Sequence, residues 1–203
     1  MSIAAEQAGH DLLVALAGRM PDDVLWRLRD WLAAQAYGPL AAMLPRELLR
    51  HRLGLTDAER GLLVSSAGEW GASRRLLEAV LPLDAPAVAD VVFRSHSDGL
   101  DAAALSVLGV VRGHAGCVEL RQAWRVGAGR EQRVVIVHGG ERPWSVTATL
   151  QRVLRAHADR TPCVEVLPAH GEPPAYHQAA IIGSAPVWTS TTRRAAEAVP
   201  AGV

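Results

Sequence analysis

The hydrophobic period of this chain changes once, and that change limits the fold more than any other feature. Up to residue 81, apolar side chains recur at three- and four-residue spacing. In PDDVLWRLRDWLAAQA, Leu25, Leu28 and Leu32 fall on one helical face with Trp31 beside them. Beyond residue 90, short β-branched runs alternate with helical stretches. Between the two lies LPLDAPAVAD, residues 81–90, with two prolines. The expected organisation is a helical bundle over residues 1–82, an α+β domain over 83–188 and a flexible, small and polar tail over 189–203.

Within the first part, Pro21, Asp22 and Asp23 suit a helix start, because proline lacks an N–H that would be orphaned there and acids complement the dipole. Leu40 to Leu53 predicts a third helix, with Pro45 limiting its continuity. In LTDAERGLLV, Thr56 and Glu59 form a capping box. SRRLLEAVL adds a short helix after the Trp70-Gly71 turn, making about five in all. In the second part, DVVFRSH reads as a strand and LDAAALSVLGVVRGHAG as a helix ending at glycine. CVELRQAWRV and EQRVVIVH are strands joined by GAGR. SVTATLQRVLRAHADR is a helix with Ser145 as N-cap, and CVEVLPA is a strand. The β-α-β-β-α-β order is that of the ferredoxin-like split βαβ unit, with strand order 4-1-3-2. PPAYHQAAIIG adds a helical turn capped by Gly183.

Composition excludes several chemistries. Lys plus Arg and Asp plus Glu number 21 each, so the net charge is zero and offers no long-range attraction for nucleic acid or an anionic membrane. All the basic residues are arginine, which removes Schiff-base, catalytic and Walker A lysines. The two cysteines, Cys117 and Cys163, form no close pair, so they are expected to be buried, reduced thiols. The N-terminal stretch lacks a basic n-region and is interrupted by Gln7, His10 and Asp11, and no apolar run reaches a membrane span. The expected location is the cytoplasm, of bacterial type, with no cofactor and no metal.

RVVIVHGGERPWSV holds the one turn that looks chemical. His138, Gly139, Gly140, Arg142 and Ser145 stand where a strand meets a helix, and they form the candidate anion or ligand site. HGG also resembles an esterase oxyanion loop, but no GxSxG elbow accompanies it. The simpler reading is a strand-to-helix turn in which glycine permits unusual backbone angles. The 4-1-3-2 order would also bring His138 near Cys117 and His96 near Cys163 as thiolate–imidazole dyads, with His170 completing a Cys-His-His set.

On the strands, Val118, Leu120 and Trp124 alternate with Glu119, Arg121 and Arg125, predicting one apolar face under two helices and one open face of mixed charge. With Trp124 inside, the open face lacks the stacking aromatics that RNA recognition needs. Trp26, Trp31 and Trp70 read as packing residues. Trp144 and Trp188 are expected in loops, as interface anchors or as covers for the sheet edge.

LTDAERGLLVSSAGEWGASRRLLEAVL resembles a helix-turn-helix of response-regulator type, with Leu-Thr-x-x-Glu-Arg followed by Gly-x-Ser. Leu77 and Glu78 replace that pattern's Ile-Ala, and only Arg74 and Arg75 supply positive charge to the second helix. No complete catalytic constellation is present. The expected function is therefore a non-catalytic protein-binding or adaptor role with another protein as partner. Two alternatives stand beside it. One is a regulator with a helix-turn-helix-like half and a small-molecule-sensing α+β half. The other is an enzyme using a His/Cys or His/Arg site at the sheet edge.

Overall fold

The computed structural model describes residues 2–85, 91–96, 99–127 and 130–191. The tail beyond 191, the linker segment 86–90 and the tip of the GAGR hairpin lie outside the described residues. The chain divides into two compact units, Met1–Asp90 with Pro174–Tyr176, and Val91–Pro173 with His177–Val203.

The first unit carries α1 (Ile3–Ala15), α2 (Asp22–Ala33), α3 (Tyr37–Arg50), α4 (Asp57–Leu63) and α5 (Arg74–Ala79). Leucines at helical spacing, including Leu12, Leu28, Leu32, Leu44 and Leu48, are at most 1% exposed and build its core. Pro21 precedes α2 directly, and Asp22 and Asp23 occupy its first turn. The capping box forms: Glu59 N donates to Thr56 Oγ1 at 3.3 Å, and Thr56 N donates to Glu59 Oε2 at 2.8 Å. The same Glu59 holds Arg19 at 2.5 Å, so the cap is also one half of a buried ion pair. Contrary to expectation, α3 runs unbroken through Pro45, which is buried in the middle of the helix. A π-helical turn, Val64–Gly68, follows α4, and Ser66 Oγ donates to the Leu62 carbonyl there at 2.6 Å. Tyr37 donates to the buried Glu6 carboxylate, and burial together with that carboxylate pushes its phenol up to about 12.

The second unit is α+β, with a mixed five-stranded sheet. Its elements are β1 (Val92–Arg94), α6 (Ala102–Gly113), β2 (Cys117–Gly127), β3 (Arg130–Gly139), α7 (Pro143–Ala156), β4 (Cys163–Leu167), α8 (Ala175–Ile182) and β5 (Ala185–Thr189). The order is β1-β2-β3-β4, and β5 also pairs with β2. The expected 4-1-3-2 order is therefore not formed. β1 pairs antiparallel with the far end of β2, Val92 facing Val126 and Arg94 facing Trp124. β3 takes the central position, antiparallel to β2 and parallel to β4 across the α7 crossover. The cause is burial. Val134 to Val137 is a continuous apolar run buried on both faces, which suits a central strand. The three residues of β1 are half-buried or exposed and fit an edge.

One face of the sheet packs under α6 and α7. Leu120, Val135, Val137, Val164 and Val166 meet Val107 and Val111 from α6, and Val146, Leu150 and Leu154 from α7. A bulge between Cys117 and Glu119 turns Cys117 onto this face in place of Val118. The second face is not open, as the sequence had suggested. Ala123, Val134 and Ile136 are fully buried on it. Its acids are paired: Glu165 Oε2 lies 2.9 Å from His177 Nε2 of α8, and Arg121 donates to Glu119 at 2.6 Å.

Candidate functional site

The HGG turn is a tightly bonded connection. Gly139 and Gly140 both have positive φ, and a Cβ on Gly139 would run into the Gly116 carbonyl oxygen. Gly140 N donates to Gly116 O at 2.9 Å, and Glu141 N to Ala115 O at 3.0 Å. Ser145 is not the N-cap. That place belongs to Arg142, at φ 52°, and Pro143 opens α7, where its missing N–H removes no helical bond. Ser145 N and Val146 N both donate to the Arg142 carbonyl. The N–H groups of Gly140, Glu141, Ser145 and Val146 are thus all taken by backbone oxygens. The Arg142 side chain is exposed, and His138, half-buried, stands opposite Glu119 and Leu167.

Neither proposed dyad assembles. Alternation along β3 sends His138 to the face opposite Val137, whereas Cys117 packs with Val137 under the helices. His96 lies against Trp124, while Cys163 pairs with Val134 two strands away. Both cysteines are buried and unbridged, and desolvation raises the Cys117 thiol above its ordinary range. His170 is exposed, and no group of three metal-ligating side chains converges among the described residues.

The two loop tryptophans also fall elsewhere. Trp144 is a buried residue in the first turn of α7. Trp188 lies in β5, opposite Leu120, and is half-buried against the core, covering the sheet within the same chain. The sequence signal for β5 was present in Val187, Trp188 and Thr189, three β-forming residues in a segment bounded by Ser184 and Ser190.

Two surfaces of the α+β unit went unread in the sequence. The first is a cleft of about 280 Å³ beside Trp124. The Arg133 guanidinium sits 4.9 Å from the Trp124 ring centroid, and His96 stacks on that ring at 4.8 Å. Arg133 also binds the Asp101 carboxylate, which caps α6 by accepting from Ala104 N at 2.8 Å. The arginine holds that carboxyl below the usual range. The remaining acids of the cleft are similarly engaged. Glu131 lies 3.3 Å from His96, and Asp159 accepts from Gln132 at 3.3 Å and from Thr161 N at 3.1 Å. At the rim, Ser106 Oγ and His157 Nε2 are 3.0 Å apart, but Asp101 bonds Arg133 rather than His157, so no oriented triad forms.

The second surface is the outer side of α6. Ala103, Ala104, Val107 and Val111 are buried beneath the helix. On the opposite side Ala102, Leu105, Gly109, Arg112 and Gly113 are exposed, Leu105 at 54%. Arg112 is the only charged residue of the helix. A solvated helix normally presents charged and polar side chains there. No family model, curated protein or solved structure matches the chain, so what it does is argued from this geometry.

Proposed function

We propose that this chain is a non-catalytic protein-binding protein, and that the outer side of α6 is its docking surface. The observation that carries the reading is an exposed helix face on which Leu105 stands among small residues and Arg112 is the sole charge. Gly109 strengthens it. Inside the helix it is less favourable than alanine by about 1 kcal/mol. It has no positive φ, and nothing stands within 4 Å of a Cβ built there, so no contact among the described residues asks for glycine. The separation of the histidines from the cysteines, and the engaged carboxylates of the Trp124 cleft, favour binding over catalysis.

The test is side-by-side affinity capture from an extract of the native host, with wild-type and Leu105→Arg baits. The reading expects a protein retained by the wild type and lost with the variant. Identical captures from both baits contradict it.

The Trp124 cleft favours a second reading, that of a regulator whose α+β unit takes a small polar ligand. The helix-turn-helix resemblance adds little, because α5 has only six residues and Arg74 is held by Glu78 at 2.7 Å. Thermal shifts with a panel of amines, amino acids and nucleotides test this reading. A stabilisation of several degrees that Trp124→Phe removes would support it, since a ligand that prefers the native state raises stability by mass action.

A further inference from the structure

We infer that the partner of α6 is a second copy of this chain, packed antiparallel through the outer side of α6 about a two-fold axis midway between Leu105 and Gly109. This rests on the docking role proposed for α6 above. A two-fold contact must be self-complementary: whatever one residue meets, its counterpart meets in reverse. The outer side of α6 meets that condition at three levels.

The first is shape. Leu105 and Gly109 lie one turn apart on the exposed stripe, one large and one without a side chain. Antiparallel pairing about that axis sets each Leu105 over the Gly109 of the other copy, a large side chain against bare helix backbone. Nothing stands within 4 Å of a Cβ position at Gly109 to obstruct the approach. The second is charge. The helix is bounded by Asp101 at its N-terminal end and carries Arg112 in its last turn, with no charge between. Reversing one copy brings the two opposite charges together at both ends. Asp101 keeps 55% of its side chain exposed while bound to Arg133, so it can face a second cation. Rim charges of this kind set orientation more than affinity. The third is the helix dipole, whose ends oppose favourably only in the antiparallel arrangement. A parallel pair would stack Leu105 on Leu105 and Arg112 on Arg112.

Size sets the strength. The 12 residues of α6 span about 18 Å. A single helix face of that length falls at the small end of specific interfaces, which bury roughly 800 Å² on each partner in stable complexes. The pair is therefore expected to exchange, with self-association in the micromolar range or weaker.

Sedimentation of the full chain from about 5 to 500 µM, a range bracketing that affinity, tests the inference. The weight-average mass should climb from 21.6 kDa toward twice that value. Leu105→Arg and Gly109→Arg should each weaken association at least tenfold, with helical content unchanged by circular dichroism. Arg112→Glu should weaken it several-fold. Orientation is read by mixing Leu105→Cys chains with Gly109→Cys chains under mild oxidation. The mixed disulfide should form faster than either homodimeric one. A monomer at every concentration, a dimer indifferent to these substitutions, or fastest linkage between two Leu105→Cys chains would each overturn the inference. If association is absent but Leu105-dependent capture of another protein persists, this inference falls and the docking role of α6 stands. If both are absent, both fall.

Discussion

α6 and α7 lie side by side over the same face of the same sheet, yet they are built differently. α7 is amphipathic. Val146, Leu150 and Leu154 go down into the core, and Arg152 and Arg155 go out to water. α6 buries Val107 and Val111 and sends out leucine, alanine and glycine, with Arg112 as its one charge. Two neighbours sharing one core thus satisfy opposite rules on their outer sides. The difference teaches that, the buried Gln151 aside, burial inside the chain explains the α7 pattern and only half of the α6 pattern. The unexplained half is the surface proposed above for an outside partner.

The largest expected effect separates two leucines. Leu150 is fully buried, and Leu150→Ala should destabilise by about 3 kcal/mol through lost transfer energy and the cavity left behind. Leu105→Ala, at a position 54% exposed, should stay within about 0.5 kcal/mol in dilute solution. Urea titrations of both variants measure the contrast, and similar losses would mean that α6 is held as α7 is.

Next comes the connection that seats α7. Gly139 has φ 79°, and its approach to Gly116 leaves no room for a methyl group. Gly139→Ala should destabilise by about 2 kcal/mol, whereas Arg142→Ala, on the exposed surface, should be within about 0.5 kcal/mol. Near-equal thermal midpoints for these two variants would show that the turn tolerates other geometries.

How much of this contrast the sequence disclosed follows from where each signal lay. The helical half was readable because its leucines keep a strict period, and Thr56 and Glu59 announce their cap. β2 and β4 were readable by alternation and β3 by its β-branched run, whereas β5 was not read. Strand order was not, because it depends on which run is buried on both faces, and Val134 to Val137 competes with a short β1 only in three dimensions. Pro143 at the first helical position was a stronger signal than Ser145 for the start of α7, and it was overlooked. The outer side of α6 was missed for a different reason. A periodicity search asks which positions are apolar enough to be buried, and a helix apolar but for Ser106 and Arg112 gives little answer to which face stays outside. The Trp124 cleft was missed because it joins four segments far apart in sequence.

A smaller effect of opposite sign sharpens the comparison. Gly109→Ala should stabilise the dilute chain by about 0.5 to 1 kcal/mol, since alanine is the better helix former and the space is open. The same change should weaken self-association by placing a methyl group where Leu105 of the other copy would rest. Calorimetry at low concentration, paired with sedimentation at high concentration, reads both signs.

The smallest effect is one of pH. Arg133 lowers the Asp101 carboxyl below its ordinary value. A group depressed in the folded state adds stability that is fully present above its unfolded value, near 4. That stability fades as pH falls through the lower folded value. As pH falls below about 4 the wild type should therefore lose more stability than Arg133→Gln, in which the pair is already broken. Parallel losses in the two proteins would remove Asp101 from the account.

Hydrogen exchange, followed helix by helix at two protein concentrations, tests the central claim most directly. Amides of α6 should exchange more slowly at several hundred micromolar than at about 5 µM, concentrations chosen to bracket a weak interface. Amides of α7 should be unaffected, and Leu105→Arg should abolish the difference. If α6 and α7 respond alike, or α6 does not respond at all, the outer side of α6 is not where this chain meets its own copy.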